Sequence, residues 1–78
     1  MKYKATWSTG STYLDGYYEY TNKREAIKDI KDIAKGNRLQ GGTANWVVRD
    51  VKYGRIVAKG WIDDFGSHNY KMHEIMDF

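Results

Sequence analysis

Asn22-Lys23-Arg24-Glu25-Ala26-Ile27-Lys28-Asp29-Ile30-Lys31-Asp32-Ile33-Ala34-Lys35-Gly36 decides how the rest of the chain must fold, because its side chains sort into separate stripes when wound at about 100° per residue. Ala26, Ile27, Ile30, Ile33 and Ala34 gather on one face, an apolar stripe that has to be covered. Arg24, Lys28, Lys31 and Lys35 lie within roughly 60° of one another on the opposite side, and Glu25, Asp29 and Asp32 take the remaining flank. Asn22 precedes Glu25 at the spacing of a capping box, so its side-chain oxygen can accept from the third helical N–H. Gly36 follows Lys35, which predicts a left-handed glycine stop with a cation set against the negative end of the helix dipole.

Working outward, Lys2 to Trp7 alternates polar and apolar with period two, placing Tyr3, Ala5 and Trp7 on one face of a half-buried strand. Ser8-Thr9-Gly10-Ser11 has the composition of a turn. The stretch from Thr12 to Tyr20 is rich in strand formers, but Asp15-Gly16 interrupts it with a bulge or a second turn. A simple hairpin puts Tyr18 and Tyr20 on one face and Tyr17 and Glu19 on the other. After the helix, Asn37 to Thr43 contains Gly41-Gly42 and no periodicity, so it is expected to be a loop. Asn45 to Asp50 and Arg55 to Ile62 form a second hairpin through Val51-Lys52-Tyr53-Gly54. Gly60 marks either a bulge or a close backbone approach. Asp63-Asp64 is expected to end that strand. Tyr70, Met72, Met76 and Phe78 share the parity of a short fifth strand, with a helical turn or two over Tyr70 to Met76 as the alternative.

The expected architecture is therefore α+β: an antiparallel sheet of four or five strands with one helix packed on one face, in the order β-β-α-β-β, with or without a short C-terminal strand. Seventy-eight residues make one domain, 1–78. Its core should hold Trp7, Ile27, Ile30, Ile33, Val48 and Ile56.

Composition narrows the function classes. There is no cysteine, which excludes disulfides, thiolate metal sites and thiol nucleophiles. No apolar run is long enough for a membrane span and no hydrophobic signal segment follows Met1, so a soluble, cytoplasmic protein without a membrane partner is expected. A formal charge of +3 is far below that of a strongly basic nucleic-acid module. Seven Tyr, three Trp and two Phe exceed what one sheet and one helix can hide, which leaves aromatics for an interface.

No catalytic constellation can be assembled. His68 and His73 are five apart, a spacing that diverges on helix and strand alike, so no metal site is expected. Asp63 and Asp64 are adjacent and point to opposite faces of a strand, a poor acid and base pair. The Ser8 to Thr12 segment lacks a phosphate-loop pattern. The expectation is a protein that is not an enzyme and carries no cofactor. The candidate site residues are the stripe Arg24, Lys28, Lys31 and Lys35, together with Arg38, Tyr13, Tyr17 and Tyr53, all serving macromolecular binding. Cations at i, i+4, i+7 and i+11 repel by a few tenths of a kcal/mol per pair. A row of cations also serves solubility, but a phosphate backbone or an acidic protein surface would offset the repulsion.

The runs Asn22-Lys23-Arg24-Glu25-Ala26-Ile27, Gly36-Asn37, Trp46-Val47-Val48-Arg49-Asp50 and Gly54-Arg55-Ile56-Val57-Ala58-Lys59-Gly60 resemble small orphan proteins encoded by phages and mobile elements, over roughly Tyr18 to Ile62. Anti-CRISPR inhibitors are among them. The resemblance implies a stoichiometric blocker of a host defence complex, working in the host cytoplasm, whose partner is an acidic protein surface or a protein–nucleic-acid complex. It carries no residue-level motif. Direct nucleic-acid binding by the basic helix face and exposed aromatics is the alternative.

If Ile30 sits where helix meets sheet, Ile30→Ala should lower stability by about 2–5 kcal/mol. A thermal melt checks this, and an unchanged midpoint would mean that the helix faces are misassigned.

Overall fold

Five antiparallel strands form one open sheet, and a single α-helix lies across one of its faces. The structure is a computed structural model and describes residues 2–9, 16–38 and 42–76. In chain order the elements are β1 (Tyr3–Thr9), β2 (Gly16–Tyr20), α1 (Lys23–Asn37), β3 (Thr43–Asp50), β4 (Arg55–Gly66) and β5 (Asn69–Ile75). In space the strands run β2-β1-β3-β4-β5, so the strand after the helix returns beside β1 and the two hairpins become neighbours.

Register and pleat divide the residues between two faces. Tyr3 pairs with Tyr20, Ala5 with Tyr18 and with Val48, Trp7 with Trp46, and Val48 in turn with Ala58. All of these face the helix, as the alternation from Tyr3 to Trp7 and from Tyr17 to Tyr20 predicts. The buried core consists of Ala5, Ala26, Ile30, Ala34, Ala44, Trp46, Val48, Ala58 and Ile62. Five of these nine are alanines. Small residues on both surfaces let the helix lie close to the sheet, with Ile30 and Trp46 supplying the volume between them.

Two expected core residues lie elsewhere. Ile33 is half-buried and outside the core cluster, since on the helical wheel it falls about 60° to the acidic side of Ile30. Ile56 is displaced by a register shift between Val48 and Arg49, which sets it opposite Arg49 on the face away from the helix. Trp7 and Ile27 pack against the core while remaining half-buried.

The helix starts as expected, with Asn22 Oδ1 accepting from Glu25 N at 3.0 Å. Its end differs. Gly36 is helical, and the chain leaves through Arg38 in extended conformation, φ −63° and ψ 142°. Side chains replace the glycine stop: Asn37 Nδ2 donates to Ile33 O at 2.8 Å and Arg38 Nη1 donates to Lys35 O at 2.6 Å, satisfying carbonyls that a helix end leaves open. Asp63-Asp64 does not end β4, which continues to Gly66 before a turn with positive φ at Gly66, Ser67 and His68. That turn makes the C-terminal segment a strand rather than a helical turn. The expected turn around Gly10, the Asp15 interruption and the middle of the Asn37 to Thr43 loop lie outside the described residues.

Gly60 resolves as a close approach. A Cβ there would collide with the His73 carbonyl oxygen on β5 and with the Trp46 indole on β3. The opposite holds at Gly36, where a Cβ would meet nothing within 4 Å. Gly60→Ala is therefore expected to destabilise by at least about 1–3 kcal/mol, whereas Gly36→Ala should stabilise by up to about 1 kcal/mol through helix propensity. Denaturant midpoints of the two variants should move in opposite directions; a shared direction would contradict the packing described.

Candidate functional site

The helix rests mainly on β1 and β3, brushes β2 and β4, and its backbone stands clear of β5. Its two flanks therefore overlook different strands. On the β2 side Asp29 meets Tyr20, whose phenol is pushed above its ordinary value of 10.0, first by burial, then by the Asp29 charge and by the hydrogen bond to it. On the β5 side runs the basic stripe. It lies along the flank of the helix, rather than pointing straight away from the core as the helical wheel alone suggests.

The C-terminal half of that flank is closed by contacts with the sheet. Lys31 Nζ lies 2.7 Å from Glu74 Oε2, and Lys35 Nζ sits 5.3 Å from the centre of the Tyr70 ring. Arg38 stacks over the same ring at 4.3 Å. Its Nε donates to Asp64 Oδ2 at 2.6 Å, and Asp64 is only 8% exposed. Arg38 is thus engaged in holding the helix terminus to β4. The N-terminal half is open. Arg24 and Lys28 are exposed and, among the described residues, have no ion-pair partner.

Between this flank and β5 lies an open groove of about 990 Å³. Ile27 lines it from the helix, Met72 from β5 and Met76 from the residue just past the end of β5. Lys23 and the four stripe residues border it, against Asp32 as the single carboxylate among the lining residues. The stripe, read from the helix alone, is thus joined to a floor contributed by Met72 and Met76, distant in sequence. Met72 and Met76 carry a sequence signal, since they share the parity of Tyr70, but no periodicity could show that they would lie beside α1.

The other candidates are dispersed. Tyr17 is on the sheet face away from the helix, with Lys4 Nζ 4.7 Å from its ring centre. Tyr53 is in the β3–β4 turn beneath Lys52 and is 63% exposed. Tyr13 lies outside the described residues. The far sheet face also sets Lys4 opposite Arg49 and stacks Trp61 on His73 with ring centres 4.7 Å apart. His73 Nε2 lies 3.3 Å from Asp63 Oδ2, which also accepts, through Oδ1, from Thr43 Oγ1 at 3.2 Å. Asp63 and Asp64 do face opposite sides of the strand. Among the described residues no three His, Asp or Glu side chains gather closely enough to hold a metal ion, and no helix is long and apolar enough to cross a membrane.

Comparison with protein-family models, with curated proteins and with solved structures finds no match to the chain.

The Tyr20 contact gives a pH prediction. A raised phenol pKa means that the folded protein holds this proton more tightly than the unfolded chain, so the contribution is present below pH 10.0 and is lost as pH rises through the folded value. Asp29→Asn removes the charge and should bring the Tyr20 titration part of the way back toward 10.0, read from its ring carbon shift. An unaltered titration would contradict the assigned flank.

Proposed function

We propose that this is a non-catalytic binding protein that acts by occupying an acidic surface of a macromolecular target, with the basic flank of α1 and the groove beside it as the docking site. The observation that carries this reading is the arrangement of Arg24 and Lys28. Both overhang an apolar floor, and neither has an ionic partner among the described residues. Like charges one turn apart weaken an isolated helix, and an acidic partner would reverse that sign. A phage-type inhibitor of a host defence complex is the most specific form of the proposal. It rests on the sequence likeness between Tyr18 and Ile62, and such an inhibitor needs only occupancy.

Nucleic-acid binding is the second reading, favoured by a different observation. On the far sheet face Arg49 is directly opposite Lys4, whose charge is partly offset by Glu19 across β1 and by the Tyr17 ring, so Arg49 is the cation a phosphate would meet there. Titration of short single strands and duplexes at two salt concentrations separates the readings, because neutralising several phosphates gives a steep logarithmic dependence on salt. Tight, salt-steep binding that is lost in Arg49→Glu would favour the second reading.

For the first, the target captured from host extract is compared for association with the wild type and with the double reversal Arg24→Glu/Lys28→Glu. These residues are exposed, so stability should shift by no more than about 0.5 kcal/mol per site. Association should slow about tenfold or more at low salt and less at high salt, as expected for charge complementarity acting on encounter. Equal rates at both salts would reduce the stripe to a solvated face.

A further inference from the structure

We infer that the groove between α1 and β5 is shaped for an acidic amphipathic helix of a partner protein; this deepens the docking reading above and rests on it. The first argument is spacing. Neighbouring strands lie about 4.8 Å apart, and packed helices about 8–10 Å apart, so the next helical position beside α1 is displaced by about two strands. The helix is seated between β1 and β3, and that displacement puts the vacant position over β4 and β5. Met72 and Met76 lie there, 39% and 41% exposed. Unbranched thioether side chains conform to an incoming apolar surface, which suits a groove floor.

Charge selects the kind of helix. The wall it would meet carries Arg24, Lys28 and Lys31, and the carboxylates at the groove among the described residues are Asp32 and Glu74, the latter paired with Lys31. A partner with Glu or Asp along the flank turned toward α1 would meet Arg24 and Lys28, which have no ion-pair partner among the described residues, while a basic helix would meet like charge in a partly apolar setting. Length follows from the closed end. Lys35 and Arg38 close one end at Tyr70, and the Lys31–Glu74 pair crosses the floor between Met72 and Met76, so an occupant running along α1 from Asn22 to Lys35, about 20 Å of helix or three to four turns, parts that pair and offers Lys31 a carboxylate of its own. The occupant therefore presents apolar residues at i, i+3 or i+4, and i+7, the helix-in-groove pattern. An extended peptide added to the free edge of β5 would instead continue the sheet plane. Its side chains would alternate above and below that plane, reaching the methionines only from the side.

A display library of random 16-residue peptides, selected on the full chain, tests this. Enriched sequences should carry apolar residues at helical spacing with Asp or Glu on one flank. Their affinity should fall about tenfold or more in Arg24→Glu/Lys28→Glu, and also in Met72→Ser/Met76→Ser, whose melts should show that the fold is kept. With methyl-labelled methionine, the Met72 and Met76 resonances should shift on binding. Acidic peptides with period-two alternation, lost in the charge reversal but indifferent to the methionines, would overturn the helix and leave the docking reading in place. Peptides of any charge that ignore Arg24→Glu/Lys28→Glu would remove both. No enrichment at all would overturn the helical occupant.

Discussion

One helix cannot cover five strands. A helix with its side chains is about 10 Å across, and strands repeat at about 4.8 Å, so α1 shields roughly two of them. Everything specific to this protein follows from which two. The alanines at positions 5, 26, 34 and 44 allow close approach over β1 and β3, Ala58 on β4 keeps the next strand low beside them, and Ile30 and Trp46 fill the space that remains. Gly60 extends the same economy sideways, admitting the Trp46 indole and the β5 backbone at one point. The sheet is thus covered at its centre, while β5 keeps an uncovered strip on the same face.

That seating turns a helical charge pattern into a lateral field. Because the core stripe points down, the acidic and basic stripes fall on opposite flanks, and the strand order decides what each flank overlooks. Asp29 is absorbed by Tyr20 near one edge of the sheet. At the other edge Glu74, Tyr70 and Asp64 engage only the C-terminal cations. The Arg38–Asp64 pair pins one end of the groove, the Lys31–Glu74 pair crosses its floor between Met72 and Met76, and the cations near the helix start face solvent. A fully neutralised flank would serve only the fold. The uneven neutralisation is what sets Arg24 and Lys28 apart from Lys31 and Lys35, which the sequence pattern treats as equivalent.

Much of the fold was legible because it depends on local periodicity. The period-two alternation from Tyr3 to Trp7, the Asn22 cap, the Gly54 turn and the shared parity of Tyr70 and Met72 each report a local constraint, and each appears in the structure. What was not legible depends on long-range pairing. The bulge opposite Val48 moves Ile56 to the other face, and Arg38, not Gly36, supplies the helix stop. Asp64 could sit inside a strand because Arg38, distant in sequence, meets it there. The candidate site divides in the same way. Its cations were visible as a stripe, but its methionine floor came into view only when the sheet order brought β5 beneath the helix flank. Tyr17 and Tyr53, chosen for exposure and aromatic character, lie away from that groove because parity and exposure carry no information about which surface a residue shares.

The orientation of α1 about its own axis is the claim on which the site depends. Nuclear Overhauser contacts in a methyl-labelled sample test it most directly, with the side chains of Ile27 and Ile33 reporting which flank overlooks β5. Ile27 lines the groove with Met72 and Met76, so contacts from Ile27 methyls to those two methionine methyls are expected, with none from Ile33. The reverse pattern, Ile33 against the methionines and Ile27 beside Tyr20, would place the acidic flank over β5 and contradict the account.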